Sequence, residues 1–320
     1  MALFLTEKDV QTVLTMAMAI EGVESAHRDL ARGQALDTPR ARSRLPQTVL
    51  HILQGALPAQ GVLGYKAYTS NRSGNRFNVF LFDAASGVLQ AVVAADYLGM
   101  MRTGAASGIA AKWLARPDSE VAGVFGSGWQ ARGHVEAICT ALPLRRVKVY
   151  GRKRDKLEAF CAEMGQRLPG VEIIPAADAE ATVRGADVIG TITTAAAPLF
   201  DADWLVPGVH INAAGSNALI RQELSEAAVR RCDLVAVDTV DTALKEAGDL
   251  VPLLEKGRLS ARQLVELGDV IVGRRAGRSS PEQITLFESQ GLAVQDLVLA
   301  SLVLAQARAR GLGQELPFGG

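Results

Sequence analysis

The sequence predicts an α/β protein, a doubly wound parallel sheet joined to an α+β segment, and three observations carry that reading. From Ser119 onward, short apolar runs alternate with helical patterns, the βαβ signature of a parallel sheet covered on both faces. Before Ser119, runs rich in Val, Leu, Tyr and Phe are broken at Gly, Asn and Asp in the manner of antiparallel hairpins. A Gly-x-Gly-x-x-Ala loop, Gly126 to Ala131, follows the first apolar run of the second region and opens a helical pattern. At about 150 residues per domain, 320 residues are a prior for two domains, each long enough to bury a core.

Taken in order, the chain opens with a helical segment. Thr6 with Asp9 three residues later is a capping-box start; Ile20, Val23, His27 and Leu30 recur at helical spacing, and Gly33 supplies the stop. Residues 37–44, with Pro39, Arg40, Arg42 and Arg44, read as a basic turn. Strands are expected at 48–53, 61–68, 78–82 and 88–94, and then, in the alternating region, at 121–125, 147–150, 171–174, 188–192, 210–213 and 234–237. A last apolar helix, 292–308, is expected to pack back on the first domain and bring the chain ends together. The expected division is therefore 1–115 plus 295–320 for one domain and 116–294 for the other.

Composition narrows the function classes. Lys and Arg total 34 and Asp and Glu total 34, so the chain lacks the excess positive charge that a nucleic-acid or anionic-membrane coat requires. The partner is expected to be a small molecule, with no nucleic acid and no membrane. Cys139, Cys161 and Cys232 are odd in number and widely spaced, which fits neither a disulfide framework nor a CxxC metal site and points to a reducing compartment. The first residues lack the basic and apolar regions of a signal peptide, so a cytoplasmic protein is expected. His27, His51, His134 and His210 lack ligand spacing, and no metal is expected.

The glycine loop is the first functional signal. Gly126 permits the tight turn, Gly128 lets backbone approach a pyrophosphate, and Ala131 allows close packing of helix on strand, with Trp129 and Gln130 opening the helix whose N–H groups attract anions. In this setting the loop reads as a Rossmann dinucleotide site; without a ligand it would be only a tight strand-to-helix turn. An NAD enzyme places a carboxylate at the end of the next strand, where this chain has Gly151-Arg152-Lys153-Arg154. Arg152 and Lys153 suit a 2′-phosphate, so the cofactor is expected to be NAD(P)H with a lean to NADPH, although the same cations could be a solvated helix start. Thr191 and Thr193 follow the fourth strand of that region and are expected to line the cofactor cleft.

In Arg102-Thr103-Gly104-Ala105-Ala106-Ser107-Gly108, the glycine loop, Gly185-Ala186-Asp187-Val188-Ile189, the run Pro207-Gly208-Val209-His210-Ile211-Asn212-Ala213-Ala214-Gly215, and Phe287-Glu288-Ser289-Gln290-Gly291 with Gln295-Asp296, the sequence resembles the ornithine cyclodeaminase/mu-crystallin family. The resemblance implies a Rossmann domain inserted in a substrate and dimerisation domain, a homodimer, and nicotinamide-dependent chemistry on amino or imino acids. It implies Lys66 and Arg102 as binders of the substrate carboxylate, Arg40 as a third basic contact, His51 as a further substrate contact, and Thr103 and Ser289 on the cofactor side. Asn217 stands where cyclodeaminases of the family carry an acid/base aspartate, and an amide does not exchange protons near neutral pH. The expected activity is reduction of a small 2-imino acid to an L-amino acid, with iminosuccinate or a cyclic imine such as pyrroline-2-carboxylate as substrate. Ornithine cyclodeamination with bound NAD and a non-enzymatic ligand-binding role are the alternatives.

Overall fold

The computed structural model describes residues 1–317 and divides into two compact units, Met1–Arg102 with the chain from Leu292 onward, and Thr103–Gly291. The division falls within the helix Asp96–Leu114. Positions 318–320 of the expected first domain lie outside the described residues.

The first unit is built on a seven-stranded sheet. Its strands are β1 (Ala2–Leu5), β2 (Leu36–Arg44), β3 (Thr48–Leu57), β4 (Val62–Asn71), β5 (Gly74–Asp83), β6 (Leu89–Ala94) and β15 (Gln314–Leu316), in the order β15-β1-β6-β5-β4-β3-β2. Alternation sets the faces: Leu53 and Leu57 on β3, Val62 and Lys66 on β4, and Val79 and Leu81 on β5 are buried beneath the helix Ala293–Arg310. Gly64 makes that approach possible, since a Cβ there would lie 2.1 Å from Phe80 O and 3.1 Å from Leu297 Cδ2. The capping box at Thr6 and Asp9 is present, but it opens a short helix, Glu7–Val13; a second, Met16–Ala31, starts at the N-cap Thr15.

One expectation needs correction. Residues 37–44 are not a turn: they belong to β2, an edge strand paired antiparallel to β3. The register shifts between Thr38 and Ala41, so the irregularity falls at Pro39 and Arg40, where an edge strand tolerates a residue that cannot donate.

The second unit holds an eight-stranded parallel sheet. Its strands are β7 (Val121–Phe125), β8 (Arg146–Tyr150), β9 (Glu172–Pro175), β10 (Val188–Thr191), β11 (His210–Ala213), β12 (Leu234–Val237), β13 (Leu264–Glu266) and β14 (Thr285–Glu288). The order β13-β12-β14-β11-β10-β7-β8-β9 reverses direction between β7 and β10, the topological switch point at which α/β sheets bind ligands beyond their strand ends. Strand β14, absent from the expected set, lies between β11 and β12, with all four of its residues buried. Among the described residues, no helix is long and apolar enough to cross a membrane, and no group of three or more His, Cys, Asp or Glu is placed to hold a metal ion.

Candidate active site

In the first unit, β4 and the helix Ala293–Arg310 build a buried charge cluster. Lys66 Nζ donates to Asp296 Oδ1 at 2.8 Å, and Arg102 Nε donates to the same oxygen at 3.2 Å. Arg102 Nη1 also donates to Gln295 Oε1 at 3.3 Å, and Gln295 Nε2 lies 3.0 Å from His27 Nε2. Lys66 is 2% exposed and Asp296 0%, so a buried lysine and a mostly buried arginine share one buried carboxylate. The excess positive charge is expensive unless an anion joins it, which suits the cluster to an anionic ligand. Burial lowers the Lys66 pKa to about 8; the Arg102 and Arg40 charges add to the lowering, and Asp296 opposes it.

The other two expected substrate contacts lie beside this cluster. Lys66 Nζ sits 6.0 Å from the centroid of the Tyr68 ring, and His51 stacks on that same ring with centroids 4.1 Å apart. Burial, then the charges of Arg40, Arg42 and Arg44, push the His51 pKa down to about 4, so the imidazole is neutral at pH 7 and accepts or donates without adding charge. All three arginines of β2 thus act on this end of the sheet. Local sequence assigns no role to Gln295-Asp296 and places His27 only on a helix face; the fold makes Asp296 the shared acceptor.

In the second unit, Phe125 ends β7 and the chain turns at Gly126, whose φ of +119° and an imagined Cβ 2.5 Å from Ile192 O both exclude a side chain. Gly128, with φ −91°, is different: nothing lies within 4 Å of a Cβ there, so the space beside it is open. It caps the helix Trp129–Ala141 with no side-chain hydrogen bond, so the positive end of that helix faces the open space. Gln130 Oε1 is buried without a hydrogen-bond partner, and Ala131 is fully buried. An open cradle over a helix N-terminus with an orphaned polar atom beside it fits a dinucleotide pyrophosphate. Arg152 and Lys153 follow β8 as exposed residues ahead of the helix Arg154–Arg167.

Of the remaining expected residues, Thr191, Thr193 and Ser289 are held by buried carboxylates. Thr191 is fully buried and gives its hydroxyl to Glu223 Oε2 at 2.8 Å, so it lies beneath the strand-end loop; Thr193 donates its N–H and hydroxyl to Glu223 Oε1 at 2.6 and 2.7 Å. Ser289 Oγ donates to Asp238 Oδ2 at 2.9 Å, and that oxygen also accepts from the Gln290 and Gly291 N–H groups. Thr103 begins the second unit within the helix Asp96–Leu114. Asn217 is exposed in the segment after β11 and caps no helix, since the next helix is Glu226–Arg230 with Ser225 at its N-cap. Ser216 beside it donates to Glu288, whose pKa is raised well above the ordinary carboxyl range by burial and by the charge of Asp249.

A switch-point glycine loop with an open pyrophosphate cradle, in a parallel sheet of this order, defines an NAD(P)-dependent oxidoreductase. The chain belongs to the ornithine cyclodeaminase/mu-crystallin family, whose model matches residues 1–311. Its structure superposes on that of Thermococcus litoralis Δ1-pyrroline-2-carboxylate reductase in complex with NADH and L-proline with a TM-score of 0.94, at 29% identity over 98% of this chain and 100% of that one. An archaeal alanine dehydrogenase dimer with bound NAD gives 0.93, at 31% identity and 99% coverage of both chains. The iminosuccinate reductase of Paracoccus denitrificans in complex with NAD+ gives 0.91, at 27% identity and 99% coverage of both.

Proposed function

We propose that this protein reduces the C=N bond of a small 2-imino acid to an L-amino acid at the expense of NAD(P)H. The observation that carries the reading is the buried Lys66–Asp296–Arg102 cluster, whose net positive charge suits one carboxylate. The nicotinamide, when bound, supplies the hydride. Lys66 and Arg102 hold the substrate carboxylate and so fix the position of C2; Asn217 orients the imino group through its amide without transferring a proton. A cluster that closes on one carboxylate favours a cyclic imine such as pyrroline-2-carboxylate. Iminosuccinate is the second reading, supported by Arg40, Arg42 and Arg44 around neutral His51, which could take a second carboxylate.

The test follows reduced nicotinamide absorbance with preformed cyclic imines and with 2-oxo acids, oxaloacetate among them, plus ammonia or methylamine. Turnover of a 2-imino acid supports the reading. Ammonia release from ornithine with catalytic NAD would replace it with a lyase, and tight NADPH binding with no turnover of any imine would replace it with a binding protein.

Lys66 gives this function a pH dependence. Its protonated form attracts the carboxylate, so substrate affinity is full below about pH 8 and is lost as pH rises through that value. KM for the imino acid is expected to rise above pH 8 in the wild type, and Lys66→Arg, which stays charged, is expected to shift that rise to higher pH.

For the cofactor, Arg152 and Lys153 support NADPH. Arg152→Ala is expected to weaken NADPH by about ten- to a hundredfold, roughly 1.5–3 kcal/mol for a charge-assisted contact, and to leave NADH nearly unchanged. A wild-type preference for NADH overturns the NADPH assignment.

We also assign a homodimer through the sheet face turned away from the helix Ala293–Arg310. That face carries Leu50 at 37% and Leu63 at 40% exposure, and Tyr65 stacked on Phe80 with centroids 4.7 Å apart, exposed apolar side chains of the kind found at interfaces. Its identification with a dimer contact is supported by the dimeric alanine dehydrogenase relative.

A further inference from the structure

We propose that Glu223 is a positioning residue for the reduction: it ties the loop after β10 to the loop after β11 and so fixes Asn217 relative to Thr193. The inference rests on the roles given above to Asn217 and Thr193. Local sequence gives Glu223 the look of a surface charge between Gln222 and Leu224, yet its exposure is 0%. Its carboxylate accepts four hydrogen bonds, from Thr191 Oγ1, the Thr193 N–H, Thr193 Oγ1 and the Gly215 N–H, at 2.6 to 2.8 Å. Three of these donors belong to the β10 end and one to the β11 end, two residues before Asn217. Four donors match the acceptor capacity of an ionised carboxylate, with none left over for a solvent molecule or a structural neighbour.

Two further observations show that the surroundings are shaped for this carboxylate. A Cβ at Gly215 would lie 2.5 Å from Glu223 Cδ and 2.4 Å from Thr193 O, so the backbone approaches Glu223 only because residue 215 has no side chain. Glu223 is itself anchored from behind: its own N–H and that of Leu224 donate to Asp249 Oδ1 at 2.8 and 3.0 Å. The neighbouring Gly248 N–H donates to Ser216 O at 2.9 Å, which holds the Asn217 segment a second time. The tether is therefore a chain from Asp249 through Glu223 to both strand-end loops. Burial raises the Glu223 pKa, and the hydrogen bonds from Thr193, Thr191 and Gly215 oppose that shift.

Glu223→Gln keeps size but turns an NH2 group toward donors. With a 2-imino acid that the wild type reduces, kcat is expected to fall by about thirtyfold or more while KM changes by less than about threefold, because Lys66 and Arg102 are untouched. The decisive readout is a double-mutant cycle: in an Asn217→Ala background, Glu223→Gln should lower kcat by less than about threefold. Multiplicative losses would mean a merely structural role and overturn the proposal. Should Glu223→Gln fail to fold, Thr191→Val removes one of the four donors and leaves the carboxylate; a kcat loss that disappears in the Asn217→Ala background supports the proposal, and one that persists there overturns it. Amide exchange separates this idea from the reductase reading. If the wild type reduces no imine, that reading falls alone; exchange at Thr193 and Gly215 accelerated about tenfold or more by Glu223→Gln still supports the tether, and unchanged exchange overturns it.

Discussion

Gly128→Val is expected to fold as the wild type does, with a melting temperature within a few degrees of it, and to lose dinucleotide affinity by about a hundredfold or more. The first half follows from φ −91° and from the absence of any atom within 4 Å of a Cβ at that position. The second follows because that open space lies at the N-terminus of the helix Trp129–Ala141, where a pyrophosphate has to approach backbone closely. Gly126→Val serves as the contrast: its φ of +119° and the 2.5 Å approach to Ile192 O make it a folding lesion, so loss of binding there says nothing about the cofactor. Calorimetric titration of folded Gly128→Val with NADH and NADPH decides the matter, and unchanged affinity for both would remove the glycine loop from the cofactor site.

The second large effect is expected at Arg102. Arg102→Ala removes a mostly buried guanidinium, leaves Gln295 Oε1 short of a donor, and leaves Asp296 with Lys66 as its only cation in the cluster. Truncating one partner of a buried, hydrogen-bonded charge pair costs about 2–5 kcal/mol, so kcat/KM for the imino acid should fall by roughly thirty- to several-thousandfold. Nucleotide affinity should be unchanged, since the lost guanidinium bonds Asp296 and Gln295 within its own unit. Steady-state kinetics beside nucleotide titration separates the two; an Arg102→Ala variant with wild-type kcat/KM would end its role in carboxylate binding.

Much of the fold was legible because its signals are local. Strands β7, β8, β10, β11 and β12 are short apolar runs with helical spacing between them, and Gly126 and Gly128 carry their meaning in a six-residue pattern. Strand β14 escaped because Thr285-Leu286-Phe287-Glu288 is only four residues long and ends in a glutamate, which a buried parallel strand rarely carries. Residues 37–44 escaped because Pro39 and three arginines look like turn chemistry, while an exposed edge strand accepts them with a shift in register. In the site, Lys66 and Arg102 came from resemblance to a family and not from their surroundings. Asp296 and Glu223 act through partners 230 and 32 residues away in the chain, for Lys66 and Thr191 respectively, a distance that no window of sequence spans.

The pairing of β1 with β15 bears on the order in which the molecule can assemble during synthesis. The unit Thr103–Gly291 is one unbroken stretch and can close as soon as it has left the ribosome, whereas the other is in two pieces separated by all of it. Until the helix Ala293–Arg310 emerges, β3, β4 and β5 have nothing to cover Leu53, Val62 and Leu81, and Lys66 has no Asp296. Completion of the Lys66–Asp296–Arg102 cluster is thereby tied to the last stretch of translation, so a chain that stops early carries a foldable second unit and an unfinished, apolar sheet that invites capture by chaperones or degradation.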